Sequence, residues 1–198
     1  MKYLAIDTSG KHLTVLAYNG ERLITVYERD CALKHSVLVM DKIDEALSRA
    51  NLTPNECDFF AAVVGPGSFT GIRIGIATVK GLCMACGKPA VAVTSFDCIA
   101  YAKEWERVLA LVDAGHGYVY ACPYEKGVPV KTPCYCSKEE AQTAYGEVSF
   151  AAAEPVPMQY EEANPAEGLF RAIENKPKIS AEALTALYIR RSSAEENR

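Results

Sequence analysis

The sequence contains one short element twice, and this repeat constrains the folds open to the chain. An apolar, strand-like run ends in Asp7, a turn of small residues follows, and a second apolar run continues to Tyr18. The same order recurs with Asp113 in the place of Asp7 and Tyr124 in the place of Tyr18. A repeat of this kind predicts two similar α/β lobes.

The first copy predicts three antiparallel strands, because Asn19-Gly20 is a strong hairpin signal between two apolar runs. An amphipathic helix follows. Its apolar face is predicted from residues that recur at helical spacing, namely Leu33, Val37, Met40, Ile43, Leu47 and Ala50. Phe59 to Val64 then predicts a buried strand, and a second helix follows that ends near Cys86, before the strand 90–93.

The second copy predicts strands over 108–112, 118–124 and 128–135, and helices that begin after Ser137 and Asn164. We therefore expect an N-terminal lobe of residues 1–103 and a smaller C-terminal lobe of residues 104–198. The last helix can pack back on the N-terminal lobe.

Charge and hydropathy narrow the possible partners. The 198 residues carry 21 basic and 25 acidic side chains, a net charge of −4, and no basic cluster is longer than Arg190-Arg191. Such a chain does not have the electrostatic pattern of a protein that grips nucleic acid by itself. The longest uninterrupted apolar run, 59–64, is too short for a membrane span. We expect a cytoplasmic protein without membrane contact.

The cysteines and histidines, which commonly bind metals, do not have the spacing of a metal site. Cys83 and Cys86 form a lone CxxC, and no second pair at zinc spacing accompanies them. The three histidines, His12, His35 and His116, are far apart in the sequence. We expect no metal, no cofactor, and cysteines that are reduced and mostly buried.

Two turns are candidates for a vestigial nucleotide site, namely Asp7-Thr8-Ser9 and the turn that contains Asp113 and Gly115. Turns of this kind can offer backbone N–H groups to a phosphate and a carboxylate to metal-bound water. The alternative is that each aspartate caps its own turn. The sequence leaves both interpretations open.

The loop from Gly65 to Gly71 resembles a phosphate-binding loop only superficially. It contains no Lys-Ser/Thr pair, and Pro66 removes one N–H donor. Ser68 is not in a nucleophile elbow, because Pro66 and Thr70 stand where glycines are needed. We expect the loop to have a geometric role.

The second helix is apolar on nearly all sides, so both of its faces need cover. One stripe consists of Ile72, Ile76, Val79 and Cys83, and the other consists mostly of small residues, Gly71, Gly75, Thr78, Leu82 and Ala85. The sheet of its own lobe can cover one face. The first helix or another chain must cover the other, which predicts a protein partner or self-association.

Several motifs together resemble the TsaB family, also called YeaZ. They are Leu4 to Ser9, the segment GPGSFTGIRIG at residues 65–75, Lys80-Gly81-Leu82, Gly87-Lys88-Pro89 and Tyr188 to Ser192. The resemblance implies a two-lobed fold of the actin, Hsp70 and sugar-kinase class (ASKHA), with a mixed sheet and helices in each lobe. It also implies a non-catalytic subunit in the synthesis of N6-threonylcarbamoyladenosine at position 37 of tRNA.

The resemblance further implies partners and site residues. In this family the subunit binds the catalytic relative TsaD and the ATPase TsaE, forms a homodimer when alone, and meets tRNA only indirectly. Where TsaD carries a metal-binding HxxxH, this chain has Ser95 and Ile99. We expect the partner interface on the two helices of the first lobe, at Val37, Met40, Ile43, Arg73, Ile76, Val79 and Lys80.

The second lobe departs from the family pattern, because Gly115 and Tyr118 replace an arginine and a glutamate. Three other functions stay open. A small phosphotransferase would use Asp7 and Asp113, and its saturable ATP hydrolysis would be lost in Asp7→Ala. A metallopeptidase is disfavoured because the ligands are missing. A partner protein of another pathway would not restore the tRNA modification.

Overall fold

The computed structural model describes residues 1–190. Arg191 and Ser192 of the C-terminal motif, and the end of the predicted C-terminal lobe, lie outside the described residues. The described chain forms two mixed β-sheets with helices on their faces. The predicted domain boundary after residue 103 stays a prediction, but the chain crosses from one sheet to the other close to it.

The first sheet has six strands in the order β12-β5-β4-β1-β2-β3. The pairs β1–β2 and β2–β3 are antiparallel, and β1–β4 and β4–β5 are parallel. The strands are β1 (Tyr3–Asp7), β2 (Leu13–Tyr18), β3 (Leu23–Glu28), β4 (Phe59–Val63), β5 (Ala90–Val93) and β12 (Lys178–Ile179). The first five were predicted from the sequence, whereas β12 was not.

Alternation along β1 separates two cores on the two faces of this sheet. Leu4 and Ile6 face a layer formed by α1 (His35–Ala50) and α2 (Phe69–Cys86). Tyr3 and Ala5 face the opposite layer, to which α5 (Pro165–Ile173) contributes. Because both faces are covered, β4 is buried along its whole length, as its continuous apolar sequence predicted.

The predicted apolar face of α1 was partly wrong. Ile43, Leu47 and Ala50 are buried, but the face that packs on the sheet also includes His35, Val39 and Ala46. Leu33, Val37 and Met40 point to solvent instead. The buried row and the solvent-facing row of apolar residues are neighbours on the helix surface. The periodicity of the sequence therefore did not show which of the two rows faces the sheet.

The helix α2 is covered partly by a segment that the sequence did not predict to lie there. Residues 180–189 run beside it: Lys80 Nζ donates to the Glu182 carbonyl oxygen at 3.3 Å, and Leu184 is fully buried. The helix α2 is long and apolar enough to cross a membrane, judged by length and composition only. The sequence analysis did not detect this, because it considered only uninterrupted runs of apolar residues. The helix buries Gly71, Ile72, Gly75, Ile76, Val79 and Cys83.

The second sheet consists of the strands β11-β10-β6-β7-β8, with β9 also paired to β7. The strands are β6 (Arg107–Gly115), β7 (Tyr118–Glu125), β8 (Val128–Pro129), β9 (Cys134–Ser137), β10 (Ser149–Ala152) and β11 (Glu161–Glu162). The run predicted as one strand over 128–135 is thus divided between β8 and β9. The helix α4 (Lys138–Tyr145) begins directly after Ser137, as predicted, and Ser137 and Glu140 form a capping box there.

A short helix that the sequence analysis missed, α3 (Ser95–Ala100), lies between the two sheets. Its residues Phe96 and Ile99 pack against one face of the second sheet, and Cys98 packs with the core of the first. It also contacts α5, where a Cβ on Gly168 would clash with the Cys98 carbonyl oxygen. Close approach of the two helices therefore requires glycine at position 168.

The carboxylate of Asp97 on α3 ties three parts of the chain together. Oδ2 accepts from the N–H and the hydroxyl of Thr94 at 2.9 and 2.7 Å, which caps α3. Oδ1 accepts from the Tyr124 hydroxyl of the second sheet at 2.9 Å, and Lys176 Nζ lies 2.8 Å away. Because Asp97 is buried, the contacts of its carboxylate replace those that water would make.

We predict that Asp97→Ala lowers the free energy of unfolding by about 3–5 kcal/mol, because it leaves buried partners of a charged group without their acceptor. Asp113→Ala is the matched control: this exposed aspartate should contribute about 0.5 kcal/mol. Urea unfolding of both variants measures the difference. Equal losses would contradict the role assigned to Asp97.

Candidate binding cleft and helix surface

A cleft of about 200 Å³ lies where the two lobes meet. The first lobe contributes Asp7 and Ser9 from the turn after β1, and the second contributes Asp113 and Glu154. Ser95 and Ile99 of α3 also line it. The two aspartates of the sequence repeat therefore lie in one cleft, each at the carboxyl end of its strand.

Asp7 caps its own turn. Its Oδ1 accepts from the backbone N–H of Ser9 at 2.8 Å and from the Ser9 hydroxyl at 2.7 Å. Asp113 does the same in the second lobe, where its Oδ1 accepts from the N–H of Gly115 at 3.2 Å. In both halves of the repeat, the aspartate side chain thus accepts a hydrogen bond from the backbone N–H two residues later. This is the arrangement expected if each aspartate caps its own turn.

Thr8 connects this turn to the beginning of α2. Its hydroxyl donates to the Gly71 carbonyl oxygen at 2.7 Å, and the side chain is fully buried. A Cβ on Gly71 would overlap the Thr8 carbonyl oxygen, and one on Gly75 would crowd the Thr8 hydroxyl. Gly71 is therefore needed for contact between two backbones, and Gly75 for contact between α2 and the Thr8 side chain.

The Gly65–Gly71 loop also encloses Ser9. The N–H of Ser68 donates to the Ser9 carbonyl oxygen at 2.7 Å, and Gly67, with φ of +155°, leaves no room for a Cβ beside that oxygen. Ser95 donates its hydroxyl to the Pro66 carbonyl oxygen at 2.7 Å, and its Oγ lies 3.2 Å from Ser9 Oγ. The geometric role expected for this loop agrees with these contacts.

Burial determines the protonation preferences around the cleft. Desolvation raises the pKa of the Asp7 carboxyl above its ordinary value; the hydrogen bonds from Ser9 oppose this, and the charge of Glu154 adds to it. Burial lowers the pKa of His35, the first residue of α1, although the charges of Asp7 and Glu154 partly offset the effect. Burial therefore shifts the titration of both groups toward their neutral forms.

The predicted site residues divide into two groups. Asp7, Ser9 and Asp113 line the cleft, so the structure brings them together. Thr8 is buried under α2, and neither Thr8 nor Gly115 is among the lining residues. Nucleotide contact by any of them stays a prediction.

The sequence analysis missed Glu154, Lys11 and His12, which also line the cleft. Glu154 is the first charged residue after the apolar run 150–153, and an acid at the end of a predicted strand would have been the signal. The strand β10 itself was not predicted, so the residue that follows it was not considered.

The predicted partner interface needs a correction at three positions. Ile43, Ile76 and Val79 are in the core of the first lobe, with at most 8% of their surface exposed, because they face the first sheet. Val37, Met40 and Arg73 are exposed, and Lys80 is partly exposed. Arg73 stacks on Phe69, with its guanidinium carbon 3.7 Å from the ring centroid.

The cysteines are free thiols in the described structure, and five of the eight are buried. Burial raises the pKa of Cys83 to about 11 and that of Cys122 to about 12, so thiolates are disfavoured there. Among residues 1–190, no group of three or more His, Cys, Asp or Glu side chains is arranged to hold a metal ion.

Two mixed sheets joined through α3, with a capped aspartate turn from each lobe facing one cleft, define a two-lobed α/β protein of the actin-like class. Two solved structures from Pseudomonas aeruginosa share this fold. One is a protein described as similar to the peptidase YeaZ (TM-score 0.81, 23% identity, 96% of this chain and 99% of that one). The other is YeaZ (TM-score 0.77, 24% identity, 94% and 99%).

The sequence comparisons identify the family. The profile of the family described as "TsaD: tRNA N6-adenosine threonylcarbamoyltransferase" matches residues 26–142. The tRNA threonylcarbamoyladenosine biosynthesis protein TsaB of Escherichia coli is 30% identical over 131 residues, 64% of this chain and 56% of that protein. TsaB of Bacillus subtilis is 30% identical over 127 residues, 63% and 56%. The chain belongs to the TsaB (YeaZ) branch of the TsaD family.

The aligned region spans little more than half the length of these curated relatives. The family profile matches from within β3 into α4, so the match includes the Gly65–Gly71 loop, α2, α3 and the strands β6 to β9. The family assignment therefore rests on parts of both lobes, and the profile match does not include β1, β2 or the turn that contains Asp7.

We predict that Gly71→Ala lowers the free energy of unfolding by about 1–3 kcal/mol, because the added Cβ must push α2 away from the Thr8 backbone. Gly81→Ala in the same helix is the control. Nothing lies within 4 Å of its Cβ position, so it should stabilise by about 0.5–1 kcal/mol. Chemical denaturation of the pair checks the sign, and a gain in stability for Gly71→Ala would refute the close approach.

We predict that His35 makes stability fall as the pH drops below its ordinary pKa of 6.5. Its pKa is lowered in the folded state, so the unfolded chain binds more protons in this range and unfolding becomes easier. The pKa of Asp7 is raised in the folded state, so its contribution to stability has the opposite sign: it decreases as the pH rises above 3.8.

The difference between wild type and His35→Leu isolates the histidine contribution. Thermal unfolding between pH 5 and 8 should show a smaller loss on acidification in His35→Leu, while His116→Asn, a change at an exposed turn, should follow wild type. Parallel curves for wild type and His35→Leu would show that His35 does not titrate differently on folding.

Proposed function

We propose that this protein is a non-catalytic partner subunit in the synthesis of N6-threonylcarbamoyladenosine at position 37 of tRNA. It would bind the catalytic subunit TsaD and the ATPase TsaE, and it would contact tRNA only indirectly. Membership of the TsaB branch supports the pathway, because the curated relatives carry that name. The cleft geometry supports the non-catalytic role.

The observation that carries the proposal is that the polar side chains at the first-lobe turn already have structural partners. Asp7 caps the turn, Thr8 is bonded to α2, and Ser9 donates to Asp7. Position 95 holds a serine bonded to the Gly65–Gly71 loop, and position 99 holds a buried isoleucine. These groups stabilise the fold and are poorly placed to act as a base or nucleophile.

The surface that favours a protein partner lies on and just before α1. Val37 and Met40, three residues apart on one face of α1, are 73% and 50% exposed, and Leu33, two residues before the helix begins, is 98% exposed. We call these three residues the α1 strip. Three exposed, large apolar side chains grouped at the start of a helix whose other exposed residues are polar or charged are typical of a protein contact. TsaD, or a second copy of this chain when TsaD is absent, is the proposed occupant.

A small phosphotransferase remains the second candidate, because Asp7 and Asp113 line the same cleft. Its turn aspartates would have to give up their capping hydrogen bonds to act on a metal or a water. ATP turnover by the chain alone, absent in Asp7→Ala, separates this candidate from the partner role.

We predict that Val37→Glu weakens assembly with TsaD about tenfold or more, because it places a charge in the centre of the α1 strip. Light-scattering chromatography should show a homodimer of the chain alone and a heterodimer after TsaD from the same organism is added. Adding TsaE should shift the heterodimer to a larger complex.

Val128→Glu is the matched control, because Val128 is 60% exposed on β8 of the second lobe, away from α1. It should assemble like wild type. If wild type forms no complex with TsaD, the proposed function fails. If both variants lose assembly equally, the interface is not at the α1 strip.

A further inference from the structure

Two cysteine side chains of the second lobe are in contact with each other. Cys134 and Cys136 are two residues apart on β9, so they lie on the same face of the strand, and the Cys134 thiol donates to Cys136 Sγ at 3.9 Å. Both are half-buried, whereas five of the other six cysteines are buried. The second lobe therefore presents two adjacent thiols that a small solute can reach.

The strand that carries these thiols is held by contacts that do not involve the sulfur atoms. All four residues of β9 pair with β7. Tyr135 lies between the two cysteines on the opposite face of the strand, and its ring stacks on Tyr118 with the centroids 4.7 Å apart. Directly after the second cysteine, Ser137 caps α4. The two sulfur atoms are thus held side by side before any ligand arrives.

The separation of the two cysteines fits a bridging metal ion better than a disulfide bond. Two residues of a strand span about 6.6 Å, so the Cβ atoms on one face are about that far apart. The Cβ atoms of a disulfide are about 3.5–4.5 Å apart, so a disulfide would require β9 to bend. An ion with metal–thiolate bonds of about 2.3 Å can bridge sulfur atoms up to about 4.6 Å apart. The observed 3.9 Å lies within that limit.

The number and kind of ligands select the class of metal. Zinc takes four ligands, of which at least three come from the protein. Among residues 1–190, no group of three or more His, Cys, Asp or Glu side chains is arranged to hold a metal ion. Two thiolates alone suit a soft monovalent ion such as Cu(I). The apolar cluster against which both cysteines pack, which includes Val119, Ala121 and Ala141, disfavours ions of higher charge.

We propose that Cys134 and Cys136 form a two-coordinate site for a soft monovalent metal ion of the Cu(I) class. The ion displaces both thiol protons and binds the two sulfur atoms as thiolates, with no change of oxidation state. Burial and the neighbouring Cys134 raise the pKa of Cys136 to about 12, so this thiol keeps its proton until the metal replaces it. The site involves neither TsaD nor TsaE, so its failure would leave the proposed function untouched.

The test titrates the reduced protein with Cu(I), under anaerobic conditions, in competition with a chromogenic Cu(I) chelator. Wild type should remove one equivalent of Cu(I) from the chelator. Cys134→Ser and Cys136→Ser each leave a single sulfur ligand. Each should weaken binding at least about a hundredfold, the upper end of the loss typical of residues that only support a metal ligand. Far-UV circular dichroism checks that both variants are folded.

Cys86→Ser is the matched control, because Cys86 is the third half-buried cysteine and belongs to the lone CxxC with Cys83. It should bind Cu(I) like wild type. In the metal-loaded wild type, iodoacetamide should label Cys86 and spare Cys134 and Cys136, which peptide mapping shows without any variant.

Four results would each overturn the proposal. They are no removal of Cu(I) by wild type, unchanged binding by folded Cys134→Ser or Cys136→Ser, loss of binding in Cys86→Ser, and displacement of Cu(I) by equimolar Zn(II). The last result would show that the site offers more than two ligands.

Discussion

The close approach between the turn after β1 and the first turn of α2 is the contact on which the rest of this structure depends. The Thr8 carbonyl oxygen touches the position of a missing Cβ on Gly71, and the Thr8 hydroxyl is bonded to the Gly71 carbonyl oxygen. Because interiors are densely packed, even one added methyl group would separate these backbones. The contact determines where α2 crosses the sheet and where Asp7 faces the cleft.

The lobes are joined by α3 and by the segment that returns from the second lobe. Asp97 is bonded to Thr94 in its own helix, to Tyr124 in the second sheet and to Lys176 after α5. The chain then adds β12 to the first sheet and continues beside α2. Both lobes therefore share one buried layer, and the cleft is formed by parts whose relative positions are held by a buried charge and its partners.

The local elements of this chain were largely predictable, because their signals lie within a few residues. The hairpin at Asn19-Gly20, the capping box at Ser137 and the start of α5 at Asn164 agree with the structure. The prediction failed for α3, which is only six residues long and has no periodicity to detect. It failed in part for α1, where apolar residues in two neighbouring rows left two possible faces.

The sequence by itself determined the first five strands with α1 and α2, the presence of two aspartate turns, the glycine loop and the resemblance to the family. These follow from residue types at short spacing, where backbone geometry and hydrogen bonding are local. Only the tertiary structure decided that Ile43, Ile76 and Val79 are core residues, that residues 180–189 cover α2, and that Glu154 meets Lys11. Those outcomes depend on how distant segments pack, which short-range patterns do not encode.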